Sequence, residues 1–336
     1  MSTCCPSGLL RLCYDATERT SWTFTDAPSS ERLGAPFAER LAPGSGVGLF
    51  ARRHIAAGEQ LIAEAPLATW NVAADASSAE KLASFEALQL SSETRQAILR
   101  LSQSSKYGSA QSLLGTWQTN GLPINYESER APGTTNRELA SRKQAAVFAT
   151  ICRINHSCRP NCCYEWNGRT GQGTIHACAA IPAGVELTIS YLPRRGFELH
   201  ARRAWLRSEH GFDCRCAACR QTGEALASSD ARQRALGEMA HADEWRMPLR
   251  ELIGRLDARL ELLSLEQLPH VWAWKPLLYH LMRTSTAELA GDPTEACKQR
   301  VVSWCKRARF AMCEACGACH PTTMYVAAFL KKVQQR

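Results

Sequence analysis

The sequence predicts an α+β protein in which a small β domain is interrupted by a helical insertion and followed by a helical C-terminal part. Short apolar runs separated by glycine-rich turns, as in residues 36–70, are typical of small antiparallel strands. Apolar residues at helical spacing, such as Leu82, Phe85 and Leu88, indicate helices in the insertion. A stripe of leucine and isoleucine over residues 249–263 indicates helices in the C-terminal part.

Composition narrows the class of protein. The chain has 336 residues, of which 45% are hydrophobic and 21% charged, which excludes disorder, collagen and coiled coil as overall descriptions. The apolar stretch over residues 175–185 is broken by histidine and proline and is too short for a membrane span, so we expect no membrane association. A net charge of +8 is weak evidence for nucleic-acid binding, and we expect none that is specific. We also expect a monomer.

Six segments follow from shifts in composition and pattern. The β domain is expected in two parts with the insertion between them, and a basic, thiol-containing segment precedes the C-terminal helices. The predicted limits are residues 1–35 (N-terminal extension), 36–70 (first β part), 71–145 (insertion), 146–193 (second β part), 194–222 (thiol-containing segment) and 223–336 (helical C-terminal domain).

Three local features refine this outline. We expect a helix over about residues 136–149 and a hairpin that turns at Asn167-Gly168, because both central positions of a tight hairpin turn favour positive φ. The pattern Ala-x3-Ile-x-Ala-Gly-x2-Leu occurs at residues 51–61 and again at 177–187. This repetition suggests two similar strand–turn–strand units whose distant residues pair in one domain.

Cysteine is the compositional anomaly, with 16 residues. The N-terminus lacks the basic and long apolar regions of a secretory signal, so we expect reduced thiols and a location in the cytoplasm or nucleus. Closely spaced cysteines in such a compartment indicate zinc rather than disulfides. Cys214, Cys216 and Cys219 leave a tetrahedral zinc site one ligand short, and Cys158 is the economical candidate for the fourth.

Three further motifs indicate a ligand site. The glycines of Gly46-Val47-Gly48 let backbone amides approach a ligand closely, although such a pair is most often only a turn. Residues 153–161 (RINHSCRPN) carry more hydrogen-bonding groups than a helix cap requires. Residues 186–191 (ELTISY) are typical of a strand that ends in a tyrosine.

In order and spacing, these motifs and the segment GFDCRCAAC resemble those of SET-domain protein lysine methyltransferases, in particular the SET-MYND branch and its fungal relatives. The resemblance extends over residues 36–70 and 119–220. It implies a SET β core with a pseudoknot, in which the NHSC segment crosses under a neighbouring strand, and a zinc-bound post-SET segment. We expect the MYND zinc finger of that branch to be absent, because no cysteine lies between Cys13 and Cys152.

The resemblance also implies a cofactor, S-adenosylmethionine, and a reaction, methyl transfer to the ε-amine of a lysine in a histone or non-histone protein. Asn155 would contact the cofactor by side chain and backbone, His156 would hold the adenine edge by its main chain, and Phe212 would stack on the adenine. The full set of cofactor-binding residues implied by the resemblance is Gly46, Val47, Gly48, Asn120, Asn155, His156, Tyr191 and Phe212.

Tyr191 would be the catalytic tyrosine, orienting a neutral lysine amine toward the methyl group. His210 stands where relatives often carry an aromatic residue, so one wall of the lysine channel is altered. The zinc at Cys158, Cys214, Cys216 and Cys219 would be structural and would hold the post-SET segment over the cleft.

Alternative interpretations remain at this stage. The chain could be an inactive SET scaffold that recruits partners through its helical half, or a methyltransferase for a small amine. Cys313, Cys316, Cys319 and His320 could bind a second metal, but Gly317, His320 and Pro321 favour a break between paired helices. The arginines around the post-SET segment favour either an acidic partner or a solvated helix face that offsets thiolate charge.

Overall fold

A computed structural model describes residues 34–73, 77–124, 142–192, 196–239 and 247–335. Within these ranges the chain forms ten β-strands and nine α-helices, which confirms the predicted α+β class. The strands come from two stretches of sequence on either side of helices, as expected for an interrupted β domain. The limits of the six predicted segments remain a proposal, and nearly all of the N-terminal extension lies outside the described residues.

The strands are short and form four small sheets. In chain order they are β1 (Phe37–Ala42), β2 (Gly46–Ala51), β3 (Gln60–Glu64), β4 (Ala68–Ala73), β5 (Leu122–Pro123), β6 (Arg142–Val147), β7 (Asn155–His156), β8 (Cys162–Asn167), β9 (Gln172–Ala177) and β10 (Thr188–Ile189). The sheets are β1-β2, β3-β9-β8, β4-β6-β5 and β10-β7. The β7–β10 pair is parallel, and the other pairs are antiparallel.

The repeated sequence pattern pairs with itself around a local two-fold axis. Ile55 and Ile181 exchange both main-chain hydrogen bonds, each of 2.9 Å. Two further bonds are related by the same symmetry and run from the Gly58 N–H to the Ala177 carbonyl (2.7 Å) and from the Gly184 N–H to the Ala51 carbonyl (2.8 Å). The repeats therefore join the two halves of the β domain, as the sequence suggested.

The insertion contains α1 (Ser78–Glu86), α2 (Ser92–Leu99) and α3 (Leu113–Asn120). Ser77 caps α1, with its hydroxyl accepting from the Glu80 N–H while the Glu80 carboxylate accepts from the Ser77 N–H. Trp70, Phe85 and Trp117 pack edge to face, with ring centroids 5.3–6.2 Å apart. This aromatic core fixes the insertion on β4.

The predicted helix over residues 136–149 is wrong where the structure describes it, because residues 142–147 form β6. Ala146 and Val147 are fully buried in that strand, which lies between β4 and β5. Alanine, lysine and glutamine favour helices locally, but pairing on both sides of the strand overrides that preference.

The hairpin predicted at Asn167-Gly168 exists, but its turn is longer. Asn167 pairs with Gln172, which leaves a loop of residues 168–171. The Asn167 side-chain oxygen accepts from the Arg169 N–H at 3.1 Å, and the positive φ of +65° belongs to Gly171. The asparagine thus begins the loop through its side chain.

The remaining helices are α4 (Leu199–His210), α5 (Gly223–Met239), α6 (Leu249–Leu265), α7 (Val271–Gly291), α8 (Glu295–Cys316) and α9 (Pro321–Gln334). The predicted apolar stripe of α6 is confirmed, since Leu252, Leu256 and Leu263 are buried in one core with α7, α8 and α9. Helix α8 packs on β8 and β9, so the helical part rests against the β domain. No described helix is long and apolar enough to cross a membrane.

Candidate active site and metal centre

The glycine segment Gly46–Gly48, which begins β2, meets the Asn155 strand through the Asn155 side chain. The Asn155 side-chain nitrogen donates to the Val47 carbonyl at 3.3 Å and to the Glu186 carboxylate at 2.8 Å. A Cβ on Gly48 would lie 2.4 Å from that carboxylate and 2.8 Å from the Asn155 nitrogen. Glycine is therefore required at 48 for these groups to meet, whereas Gly46, with φ of +76°, faces open space.

Tyr191 is held at both its main chain and its phenol. The phenol donates to the Ile154 carbonyl at 2.7 Å, and the Tyr191 N–H donates to Nδ1 of His156 at 2.9 Å. Burial raises the pKa of the Tyr191 phenol above its usual value. The phenol therefore stays protonated at neutral pH and acts as a hydrogen-bonding group rather than as a base.

Three rings surround Tyr191, and we call Tyr191, His156, His210 and Phe212 together the aromatic cluster. The Tyr191 centroid lies 5.2 Å from His156, 5.0 Å from His210 and 6.4 Å from Phe212. Burial lowers the pKa of His210, so its ring is neutral at pH 7. Neither Tyr191 nor His210 therefore carries charge at pH 7, and the cluster joins the glycine segment through Asn155, the neighbour of His156.

Asn120 lies at the end of α3 and is tied to the insertion. Its side-chain nitrogen donates to the carbonyls of Ser102 and Thr116, both at 2.7 Å. Its own carbonyl accepts from the Cys152 thiol at 3.2 Å. Any contact of Asn120 with a cofactor must therefore use its side-chain oxygen or its main chain.

The insertion also holds the end of α4. The Ser104 hydroxyl donates to the His210 carbonyl at 2.8 Å, and Lys106 pairs with Glu209 at 3.2 Å. Gly211 ends the helix with φ of +76°, and a Cβ there would lie 2.5 Å from the Ser104 oxygen. This contact sets the direction in which the chain delivers Phe212.

The four predicted zinc ligands come together. The sulfurs of Cys158, Cys214, Cys216 and Cys219, here called the thiol cluster, all lie within 4.8 Å of one another. The Cys158 sulfur is 3.5 Å from that of Cys219 and 4.0 Å from that of Cys214. With Zn–S bonds of about 2.3 Å, the sulfurs of a tetrahedral site are about 3.8 Å apart, so the donor set fits zinc.

Basic groups surround the thiol cluster without entering it. Arg203 donates to the Cys219 carbonyl at 2.7 Å, and Arg207 pairs with Asp213. Because these arginines bind acceptors of the post-SET segment itself, they favour a solvated helix face that offsets thiolate charge over an acidic partner.

The second thiol-rich stretch is a break between helices, as its glycine and proline predicted. Helix α8 ends at Cys316, and Pro321 begins α9. His320 caps α9 through Nδ1, which accepts from the Thr322 N–H at 3.2 Å, while its Nε2 lies 3.1 Å from the Trp166 carbonyl. In the described part of the chain, only the thiol cluster groups three or more metal-binding side chains within such distances.

Residues 46–192 match the family model described as the SET domain. Over these residues the chain is similar to SET domains. The matched residues include the glycine turn, the Asn155–His156 strand and Tyr191, and end just before the post-SET segment.

Curated proteins with similar sequences carry related names. Histone-lysine N-methyltransferase set5 of Schizosaccharomyces pombe is 28% identical over 178 residues, which are 53% of this chain and 48% of that protein. Protein-lysine N-methyltransferase SMYD4 of Mus musculus is 33% identical over 87 residues, 26% of this chain and 10% of that protein. Histone-lysine N-methyltransferase SMYD3 of Mus musculus is 31% identical over 134 residues, 39% and 26% of the two chains. The chain thus spans about half the length of the first relative and less of the others.

Some contacts of the SET domain were not foreseen from the sequence. The Ile154 carbonyl, the Glu186 carboxylate and the His156 side chain all contact predicted site residues. Asn161 also clamps the strand before Tyr191, donating to the Glu186 carbonyl and accepting from the Thr188 N–H, both at 2.8 Å. The polarity of residues 153–161 was the available signal, but it did not indicate which groups pair.

Proposed function

We propose that this chain is a protein-lysine N-methyltransferase that uses S-adenosylmethionine. The observation that carries the proposal is the Tyr191 phenol, hydrogen-bonded to the Ile154 carbonyl within the aromatic cluster. The cluster joins the glycine segment through Asn155, which precedes His156 and donates to the Val47 carbonyl. The names of the curated relatives support the same activity. A protein lysine in the nucleus or cytoplasm is the proposed acceptor.

The residues around the glycine turn suit a cofactor that is cationic at its sulfur. S-adenosylmethionine, when bound, supplies the methyl group and a neutral thioether as leaving group. We assign the open side of Gly46 and Val47 to its methionine part, Asn155 to polar contacts and Phe212 to the adenine face. An aromatic stack of this kind contributes about 0.5–1.5 kcal/mol beyond burial of area.

The acceptor amine must be neutral when it attacks the methyl group. With a pKa of about 10.4, only about one free lysine in 2,500 is neutral at pH 7. The uncharged rings of Tyr191, His210 and Phe212 desolvate the amine and so lower its pKa. The Tyr191 phenol and the Ile154 carbonyl then orient the lone pair, and alignment of this kind supplies up to about 7–11 kcal/mol in favourable cases.

For the thiol cluster we propose a structural zinc ion. Cys158 comes from the SET segment, whereas the other three thiols come from the post-SET segment, so a shared ion would fix Phe212 against the SET domain. Asn120 is assigned to the cofactor through its oxygen or main chain, because both amide hydrogens are engaged within the insertion.

Methyl transfer from labelled S-adenosylmethionine to histones and to lysate proteins tests the proposal. We expect labelled protein lysine with the full chain and a loss of about 10²–10³-fold in kcat for Tyr191→Phe, the range for one preorganised hydrogen-bonding group. Tyr279→Phe is the matched control, since Tyr279 is an exposed residue of α7 at 67% accessibility.

Calorimetry with S-adenosylmethionine separates the outcomes. If the cofactor binds and no acceptor is labelled, the chain is a scaffold and the proposed activity is wrong. If only small amines are labelled, the acceptor class is wrong. Equal rates for wild type and Tyr191→Phe would remove Tyr191 from catalysis.

A further inference from the structure

We infer that the His156 side chain is a positioning residue that links the thiol cluster to Tyr191. Its two ring nitrogens face two different parts of the site: Nδ1 lies 2.9 Å from the Tyr191 main-chain nitrogen, and Nε2 lies 3.3 Å from the Cys158 sulfur. The inference rests on the proposed function, because that function gives Tyr191 its role. It concerns the His156 side chain, whereas the contact expected from the sequence is between the His156 main chain and the adenine edge.

The bond from Tyr191 decides where the imidazole carries its proton. A backbone N–H can only donate, so Nδ1 must accept and cannot hold a proton while this bond exists. The remaining ring proton therefore sits on Nε2 and points toward the Cys158 sulfur. The local structure thus selects one tautomer, as the partners of ring nitrogens do around metal sites.

The sulfur at the other end is suited to accept this bond. Cys158 is buried, and its sulfur is within 4.8 Å of the other three sulfurs of the thiol cluster. A thiolate shared with a cation is a better acceptor than a neutral thiol, and an N–H donor at 3.3 Å offsets part of its charge. His156 would then act on the metal centre as an outer hydrogen-bonding partner of a ligand.

The fold places the His156 ring between Cys158 and Tyr191. His156 lies on β7, whose parallel pairing with β10 brings it near residue 191, and Cys158 follows two positions later. The His156 ring lies 5.2 Å from the Tyr191 ring and 6.0 Å from that of Phe212. Displacement of Cys158 would therefore shift the ring and, through Nδ1, the main chain that places the phenol.

Three substitutions in the full chain separate the two bonds. His156→Phe keeps a ring and removes both nitrogens. His156→Asn retains a short acceptor in reach of the Tyr191 N–H, whereas His156→Gln retains a longer donor in reach of Cys158. His200→Phe, at an exposed position of α4, is the matched control.

Cobalt(II) in place of zinc reports on the Cys158 bond without turnover. We expect one cobalt per chain in every variant. The sulfur-to-cobalt charge-transfer band should move to lower energy in His156→Phe and His156→Asn, because a thiolate without the hydrogen bond donates more charge to the metal. The band should not move in His156→Gln or in the control. A band that stays in place in both of the first two variants would overturn the bond to sulfur.

Amide NMR of protein with isotope-labelled tyrosine reports on the other bond, with seven tyrosines to resolve and Tyr191→Phe to assign the signal. We expect the Tyr191 amide signal to shift in His156→Phe and His156→Gln, and on chelation in the wild type. Chelation should add nothing in His156→Phe. A Tyr191 amide signal that shifts neither on substitution of His156 nor on chelation would refute the link between the thiol cluster and Tyr191.

Activity is measured last. Where the metal is retained, we expect kcat to fall about tenfold or more in His156→Phe, the range for outer partners of metal ligands, with a smaller change in KM. A wild-type chain that shows both spectroscopic effects but transfers no methyl group would contradict the proposed function and leave the positioning role intact. If kcat is unchanged while both signals move, His156 does not position Tyr191 for the reaction.

Discussion

At the scale of single residues, the two histidines of the aromatic cluster have different chemistry. Hydrogen bonds at both nitrogens fix the tautomer of His156. The pKa of His210 is instead lowered by burial and by Lys106, and raised by its neighbour Glu209, with burial the largest effect. His210 therefore acquires charge only when the pH falls below the ordinary range of histidine.

Protonation of His210 should inhibit the reaction. A neutral ring at pH 7 becomes a cation as the pH falls through its lowered pKa. The cation then repels the sulfonium of the cofactor and the positive charge that the amine acquires on methylation. At pH values below the ordinary histidine pKa of about 6.5, we expect kcat/KM of the wild type to fall more steeply than that of His210→Phe, whose ring cannot ionise. The ratio of the two values is measured against pH.

The lysine acceptor titrates in the same way with both proteins, so its effect cancels in the ratio of their kcat/KM values. Binding of S-adenosylmethionine and of its uncharged product at two pH values gives a second measure that needs no turnover. A ratio that stays constant from about pH 7.5 to 5.5 would show that His210 does not face the charged groups.

At the scale of elements, the post-SET segment is fixed at both ends of Phe212. On one side the Ser104 hydroxyl holds the His210 carbonyl at 2.8 Å, and on the other Cys214 enters the thiol cluster. The short segment between them has little internal structure of its own. Its position depends on partners that lie far away in sequence.

Loss of one thiol ligand should release this segment. Cys216→Ser, or chelation of the wild type, should lower the affinity for S-adenosylmethionine by about tenfold or more and expose the segment to proteolysis. Cys178→Ser is the control, because Cys178 is half-buried and outside the thiol cluster. Calorimetry and metal content are measured together, and unchanged affinity after verified metal loss would contradict the structural role.

The same distinction between local and distant partners explains what the sequence could predict. Helix stripes and the Gly317–Pro321 break are local signals, and the structure agrees with them. Residues 142–147 were taken for helix because their strand character comes from pairing with β4 and β5. Contacts of the His156 ring were missed for the same reason, since residue 191 is distant in the chain.

At the scale of the whole molecule, the C-terminal helices rest on the β8–β9 hairpin through polar groups as well as apolar ones. Lys275 of α7 pairs with Glu165 of β8, and Nε2 of His320 lies 3.1 Å from the Trp166 carbonyl. His176 of β9 is only 1% exposed, and neither ring nitrogen has a hydrogen-bond partner among the described residues. Burial, and then His320, lower the pKa of His176 to about 4.

This buried histidine should make the stability of the protein depend on pH. The unfolded chain takes up a proton on His176 below about pH 6.5, whereas the folded protein does so only near pH 4. Stability should therefore fall as the pH drops through that window, by up to about 3 kcal/mol from this group. We expect His176→Leu and His176→Gln to flatten the dependence measured by urea unfolding at several pH values, with exposed His54→Phe as control. His176 packs closely against Gly317, so each substitution also changes absolute stability, and the slopes with pH are therefore compared instead. Slopes equal to that of the wild type in both variants would show that His176 does not cause this pH dependence.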